Sequence, residues 1–223
     1  MTVAMRTMMR ATALGLVVGA ATLGGCNVAT PVFFLIHGPP KVDKITTLSD
    51  RPTVIFIDDR RNTMPRRSLR NDAAKTAEQV ILNEKLVSPQ NMISSQAAFR
   101  SVSNESSQAP VSVVDVGRRV GAEVVIYVEM LGWTLSREGG ELSPGAIASV
   151  KILDTVTNER LWPAEPEGWT LRANLPTRTD AYDMSRAEKS KVEQQLALHL
   201  GRELAGMFYT RERSQLQDQR PGT

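Results

Sequence analysis

The sequence predicts an α/β fold with an α+β tendency: a mixed sheet with a βαβ crossover, a hairpin in the C-terminal half and a packed C-terminal helix. Two continuous apolar runs, residues 53–58 and 123–130, are typical of strands covered on both faces. Apolar residues at helical spacing follow the first run and also close the domain. With 223 residues, 41% of them hydrophobic and 23% charged, the chain is long enough to bury a core.

A strand, a helix and an edge strand are predicted in the first half of the domain. Thr53–Asp58 is the expected first central strand, because it is a β-branched and aromatic run. Residues 68–86 should form a helix with Ser68 or Asn71 as its N-cap, and residues 91–94 a short edge strand before a small helix. The apolar positions at helical spacing are Leu69, Ala73, Ala77, Val80 and Ile81.

The second half should begin with a short helix and a buried strand. Residues 113–121 fit the helix and residues 123–130 the strand, which implies the βαβ crossover. Residues 148–154 alternate, and Thr157–Asn158 precedes residues 159–162, so a hairpin follows and the sheet becomes mixed. The C-terminal helix should pack on the sheet through one apolar face, made of Val192, Leu196, Leu200, Leu204 and Phe208.

The N-terminus has the pattern of an export signal. Arg6 and Arg10 precede an uncharged run over residues 11–25, which is shorter than the ~20 residues that a spanning helix needs. The run ends in Leu23-Gly24-Gly25-Cys26, which resembles the lipobox of bacterial lipoproteins. The resemblance implies that Cys26 carries the lipid anchor, palmitate included, and that Asn27 favours the outer membrane in a diderm organism. The alternative is a plain secretory signal whose cysteine falls there by chance.

These signals predict four segments. Residues 1–25 are the expected signal peptide, and residues 26–52 the lipidated cysteine with a Pro/Gly-broken tether. A single α/β domain should span residues 53–209, and a frayed polar tail residues 210–223. The tether contains Val32-Phe33-Phe34-Leu35-Ile36, which is too apolar for a free linker. It is either an edge strand or plug on the domain, or a membrane- or partner-facing patch.

Charge and composition exclude several classes of protein. The formal net charge is +3, or +1 without Arg6 and Arg10, so a pI of 9.2 does not indicate nucleic-acid binding. One cysteine and two histidines exclude a disulfide framework and a Cys/His zinc site, and neither a metal nor a cofactor is expected. The sequence has no G-x-S-x-G, P-loop, G-x-G-x-x-G or H-E-x-x-H motif. An enzyme is therefore not the favoured interpretation.

Two carboxylates and five arginines lie at the end of the first strand. Ligands of open α/β sheets bind there, which makes Asp58 and Asp59 the best carboxylate candidates, although a strand-exit and loop-capping role is favoured. They should point to opposite faces and so not form a close dyad. The arginines form either an anionic contact surface or a solvated loop, since the chain has 20 Arg and only 7 Lys. They are Arg60, Arg61, Arg66, Arg67 and Arg70.

The remaining candidates are aromatic residues and a histidine. Trp133 and Trp169 fall on the hairpin half and are predicted rim residues of a contact face, whereas core packing explains Trp162. His37 belongs to a turn. His199 lies beside the apolar face of the last helix, where a flanking or capping role is favoured over a catalytic one.

Residues 116–126 and 150–162 resemble a pattern of small periplasmic α/β domains. These are the N-terminal domain of the Tol-system propeller protein, the curli-secretion lipoprotein and the outer-membrane lipoprotein activators of peptidoglycan synthases. In that pattern a Gly-Ala-acid helix exit leads into a central strand, and a hairpin carries an Asp-x-x-Thr turn. The chain has no propeller repeats and no long stalk, and residues 132–148 are too Gly/Pro-broken for a pore hairpin. The resemblance therefore implies the fold alone.

The expected function is a lipid-anchored, extracytoplasmic, non-catalytic interaction or assembly module of the bacterial cell envelope. Its partners would be the membrane, through the lipid on Cys26, and an envelope protein or an anionic glycan. The alternative is an envelope hydrolase or ligand-binding enzyme that uses Asp58, Asp59 and the arginine loop. A subunit of an oligomeric envelope machine is a third possibility.

Overall fold

The fold is that of a computed structural model, which describes residues 41–103, 111–136, 142–177 and 184–212. The described residues from Val42 onward belong to one compact unit. The lipobox with Cys26, the apolar run of the tether and His37 lie outside the described residues, as does most of the expected C-terminal tail.

A mixed sheet of six strands forms the centre of the described residues. Its order is β3-β2-β4-β5, and two further strands, β6 and β7, pair along β5. Both neighbours of β2 run parallel to it, whereas all pairs that involve β5 are antiparallel. The predicted fold class and crossover are therefore confirmed. The strands are β2 (Thr53–Asp58), β3 (Met92–Ile93), β4 (Val124–Ser136), β5 (Leu142–Asp154), β6 (Arg160–Trp162) and β7 (Trp169–Asn174), and a separate two-stranded sheet joins β1 (Lys41–Val42) with β8 (Arg211–Glu212).

Helices cover both faces of the sheet. One face carries the longer pair, α1 (Arg67–Asn83) and α4 (Arg186–Ala205), which also contact each other. The other face carries the two short helices, α2 (Ser95–Ser101) and α3 (Val113–Arg119). Because alternate strand residues point to opposite faces, the buried strands supply side chains to two separate cores.

The C-terminal helix seals the larger core, as predicted. Leu196, Leu200 and Leu204 of α4 are completely buried beneath the sheet. The two long helices approach closely at Gly201, where a Cβ atom would lie 2.8 Å from Thr76 Cβ and closer still to the carbonyl oxygen of Ala73. Glycine at this position therefore sets the distance between α1 and α4.

The start of α1 differs from the sequence prediction. The helix begins at Arg67 with Arg66 as N-cap, and no side chain caps it, so the prediction of Ser68 or Asn71 as the N-cap was wrong. Tertiary contacts fix this helix start instead. The Arg66 guanidinium lies 2.9 Å from Glu193 on α4 and donates to the backbone oxygen of Ser190 at 3.1 Å.

β4 and β5 extend beyond the predicted strands 123–130 and 148–154, and they pair with each other in antiparallel fashion. Residues 132–148 were expected to be too Gly/Pro-broken for a pore hairpin, but their described part lies in paired strands that continue as far as Ser136 and Leu142. The register of the pair shifts between Met130 and Gly132, and again between Thr134 and Ser136. Such irregularities accommodate extra residues while the strands remain paired. Cross-strand pairing therefore outweighs the local preference for a break.

The turn between β5 and β6 is held by Asp154. Its Oδ1 accepts hydrogen bonds from the amides of Val156 and Thr157, and its Oδ2 lies 2.7 Å from Nη1 of Arg51. Arg51 also pairs with Glu123, which joins the turn to the entrances of β2 and β4. The hydrogen bond from Arg51 lowers the pKa of Asp154 to about 2, and the two amides add to this effect. This is the Asp-x-x-Thr turn of the sequence pattern.

Candidate functional site

The connections of the sheet diverge at the carboxyl ends of β2 and β4. The chain leaves β2 through α1 on one face to reach β3, and returns through α2 and α3 on the other face to reach β4. Two connections that diverge in this way leave a crevice beyond the strand ends, where open α/β sheets bind ligands. Asp58, the last residue of β2, stands there in register with Glu129 of β4.

A cleft of about 580 Å³ opens at this point, on the face that carries α2 and α3. Its apolar lining comes from the sheet and the two short helices, and its polar lining comes from the end of β2, the following loop and the first turns of α1. We call it the arginine cleft. The lining residues that matter below are Phe56, Asp58, Asp59, Arg60, Asn62, Arg67, Arg70, Phe99, Val102 and Val116.

Asp58 is nearly buried and has two partners. Arg60 Nε donates to Asp58 Oδ2 at 2.6 Å, and the Tyr127 hydroxyl donates to the same oxygen at 3.1 Å. Burial raises the pKa of Tyr127, and the charge of Asp58 raises it further, so the phenol keeps its proton at neutral pH. The Asp58 carboxylate therefore accepts hydrogen bonds from within the protein, and its negative charge balances that of Arg60.

Asp59 organises the loop that follows β2. Its Oδ1 accepts from the Thr63 amide at 2.8 Å and from the Thr63 hydroxyl at 2.9 Å, and its Oδ2 accepts from the Met64 amide at 2.9 Å. These bonds are the loop-capping role that the sequence favoured for Asp59. Both oxygens of this carboxylate are used to shape the backbone, which carries the first arginines of the cluster.

The five arginines have different roles. Arg66 ties the start of α1 to α4, and Arg60 is paired with Asp58. Arg61 is exposed and lies 3.9 Å from Glu129, a weak contact. The Arg70 guanidinium lies over the Phe99 ring, 5.6 Å from its centroid. Arg67 is exposed and makes no hydrogen bond or ion pair with any residue that the structure describes.

The tryptophans do not join the arginines. Trp162 and Trp133 both pack against the larger core, and the Trp133 indole nitrogen is buried without a hydrogen-bond partner in the described ranges. Trp169 is 42% exposed and its ring lies 5.7 Å from that of Trp162. Trp169 pairs with Val150, a residue of the core beneath α1 and α4, so it lies on the sheet face opposite the arginine cleft.

His199 belongs to α4 and is buried in the domain. Burial lowers its pKa, which the nearby carboxylate of Glu203 partly offsets. Arg211 binds the same carboxylate with two hydrogen bonds, at 3.1 and 2.6 Å. His199 is therefore part of a structural contact between α4 and β8.

Two residues at the site were not identified from the sequence: Phe99, which lines the cleft, and Tyr127, which donates to Asp58. Tyr127 is the only residue with a side-chain hydroxyl in the predicted strand 123–130, and its alternation with Glu129 places both on the sheet face that Asp58 shares. Phe99 was expected only as a residue of a small helix, and nothing in the sequence pairs it with Arg70. Alternation along β4 was the signal that could have found Tyr127.

The described ranges contain neither a metal-binding cluster nor a membrane-spanning helix. In them, no three residues among histidine, cysteine, aspartate and glutamate cluster closely enough to hold a metal ion. Nor does any helix in the same ranges have both the length and the apolar character to cross a bilayer.

Comparison with known proteins finds only weak likenesses. No protein-family model and no curated protein matches the chain. Among solved structures it is similar to the hypothetical protein CT253 of Chlamydia trachomatis, with 14% identity over 70% of this chain and 93% of that one, at a TM-score of 0.41. It is also similar to PelC of Paraburkholderia phytofirmans, solved as a dodecamer, with 11% identity over 76% and 96% and a TM-score of 0.39. Lipoprotein GNA1162 of Neisseria meningitidis has 14% identity over 65% and 97%, at a TM-score of 0.36. Similarity at this level carries no argument about function.

Proposed function

We propose that this chain is a lipid-anchored, extracytoplasmic, non-catalytic interaction module of the bacterial cell envelope, whose contact surface is the arginine cleft and its rim. The loop built on Asp59 carries this proposal. Three hydrogen bonds to one carboxylate hold the backbone between β2 and α1 in a defined shape. Exposed Arg61 lies on this loop, and exposed Arg67, the first residue of α1, lines the cleft.

The state of the two carboxylates supports a binding role over catalysis. A general base or nucleophile needs a carboxylate that can reach the substrate. Asp58 is 6% exposed and bonded to Arg60 and Tyr127, and Asp59 is bonded to the loop through both oxygens. Each carboxylate would have to break a contact within the protein before it could take part in a reaction.

The anchor is proposed from the sequence. The lipobox-like Leu23-Gly24-Gly25-Cys26 places the only cysteine of the chain where a diacylglycerol would be attached. Two or three acyl chains at ~0.8 kcal/mol per buried CH₂ would hold the protein stably on a bilayer. Asn27 after the cysteine favours the outer membrane if the organism is diderm, which would place the domain in the periplasm.

The nature of the partner follows from the charge of the rim. Exposed guanidinium groups favour carboxylates and other oxyanions, and they steer an acidic surface over a range of about 8 Å at physiological ionic strength. The proposed partner is therefore an envelope protein with an acidic contact patch, or an anionic glycan.

Crosslinked capture from native membranes tests this proposal. Arg61→Glu with Arg67→Glu should reduce the captured partner several-fold, and added salt should reduce capture by the parent protein in the same direction. The melting temperature should hardly change, because both side chains are exposed. Arg172→Glu on β7 is the matched control, since Arg172 is exposed on a different part of the sheet. Equal capture by the parent, the double variant and the control would show that the contact surface lies elsewhere. The exposed Trp169 would then be the next candidate.

A further inference from the structure

The arginine cleft is amphiphilic, and this restricts what it can hold. Phe56, Val102 and Val116 contribute apolar side chains to its lining, and Arg67 and Arg70 contribute guanidinium groups. Its volume of about 580 Å³ lies within the range of small-molecule pockets, roughly 300–1,000 Å³. A ligand that fills it would bring both an anionic group and an apolar body.

The aromatic rings in the cleft are already occupied. The Phe56 ring packs against those of Phe99 and Tyr127, with centroids 6.0 and 6.1 Å apart, and the Arg70 guanidinium lies over Phe99. Recognition of a sugar ring relies on stacking against an open aromatic face, which these contacts take up. A glycan is therefore the less suitable of the two partner classes for this cleft.

The two guanidinium groups are well placed to hold one oxyanion between them. Arg67 and Arg70 stand three residues apart on the first turn of α1, a spacing that puts both on one side of the helix. Contact with Phe99 orients the Arg70 guanidinium. A planar guanidinium held in one orientation can donate two parallel hydrogen bonds to the two oxygens of a carboxylate.

The other charges of the cleft favour an anion with a single charge. Asp58 and Asp59 line the same cleft as the arginines, so a dianion such as phosphate would meet two negative groups at close range. A carboxylate carries one charge, so its repulsion from Asp58 and Asp59 is weaker.

We propose that the arginine cleft binds a peptide carboxylate joined to an apolar side chain, such as the free C-terminal end of a partner protein. The carboxylate would lie on Arg67 and Arg70, and the apolar side chain against the apolar lining that includes Val102. This proposal rests on the proposed function, and it specifies how an envelope protein would be recognised.

Binding of a dipeptide to the isotopically labelled full chain in detergent micelles tests the proposal. The probes are N-acetyl-Leu-Phe as the free acid, the same peptide as its C-terminal amide, and inorganic phosphate. The free acid should shift the backbone amide signals of Asn62 and Ser68 and leave that of Trp169 in place. The amide should bind at least ten times more weakly than the acid, because it lacks the charge that the arginines hold.

Variants then locate the contact. Arg67→Gln should weaken binding of the free acid at least fivefold, while Arg172→Gln should leave it within a factor of two. Equal binding of acid and amide, tighter binding of phosphate, absence of peptide binding, or shifts confined to Trp169 would each overturn the proposal. The acid and amide are compared on the unmodified protein, so that result does not depend on how well a variant folds.

The result can be separated from that of the capture experiment. If Arg67→Glu abolishes partner capture while the dipeptide acid does not bind, the contact surface stands and the carboxylate ligand is refuted. If the acid binds as expected while capture is unaffected by the arginine reversals, the cleft is a peptide site and the proposed contact surface is refuted.

Discussion

The close approach of α1 and α4 at Gly201 yields a sharp prediction for Gly201→Ala. Alanine is the better helix former by about 1 kcal/mol, so on propensity alone the substitution would stabilise α4. The added Cβ would lie 2.8 Å from Thr76 Cβ and closer to the Ala73 carbonyl oxygen, which belongs to the helix backbone and cannot rotate away. Overpacking of this kind costs typically about 1–3 kcal/mol, and more where backbone must shift. The clash should outweigh the gain in helix propensity, so the free energy of unfolding should fall by about 1–2 kcal/mol.

Thermal unfolding followed by circular dichroism measures this loss. For a domain of this size it corresponds to a fall in melting temperature of roughly 3–6 °C. Gln194→Ala is the matched control, because Gln194 is exposed on the same helix and its substitution should change stability by less than about 0.5 kcal/mol. A melting temperature of Gly201→Ala equal to or above that of the parent would refute the close packing of the two helices.

Four further predictions concern the core, the helix start, the turn and the anchor. Leu200→Ala should cost about 2–5 kcal/mol in urea unfolding, because the side chain is completely buried, and a cost under about 0.5 kcal/mol would mean that α4 is not docked. Arg66→Glu should lower the melting temperature while Arg67→Glu leaves it unchanged, since only Arg66 pairs with α4, and equal melting temperatures would contradict this. The folded pKa of Asp154 is depressed from 3.8 to about 2, so its stabilisation is present above pH 4 and lost as the pH falls towards 2. Asp154→Asn should therefore lower the free energy of unfolding by about 1–2 kcal/mol at neutral pH and weaken its dependence on pH between 4 and 2. An unchanged pH dependence would refute the stabilising role of the Asp154 carboxylate. Cys26→Ser should abolish labelling with a fatty-acid analogue, and equal labelling would exclude the lipoprotein interpretation.

The elements that the sequence predicted well are those whose pattern is set by burial. Thr53–Asp58 is a run of residues that only a strand covered on both faces would bury, and the structure confirms its bounds. The apolar spacing of α4 likewise predicted its docked face. The extension of β4 and β5 was missed because Pro144 and Gly145 are local strand breakers, whereas cross-strand pairing is a tertiary effect that local preference does not contain.

The position of a cleft at the end of the first strand was predictable from the sequence, but the contacts within that cleft were not. The end of the first strand was identified from topology, and the cleft lies there. Arg66 and Arg67 are adjacent in sequence, yet one is bound to Glu193 across the helix pair and the other is exposed beside the cleft. Proximity in sequence groups such residues together, and only their three-dimensional partners separate a structural arginine from a candidate binding one.

Site-specific photo-crosslinking in native membranes tests the central claim most directly, because it reads the contact surface without altering its charge. A photoreactive amino acid replaces exposed Ser68 on the first turn of α1, and in a second protein it replaces Trp169 of β7, which is exposed on the opposite face of the sheet. We expect a discrete adduct with an envelope protein from position 68 and none from position 169. An adduct from position 169 alone, or none from position 68 while capture by the parent protein persists, would contradict the proposed contact surface.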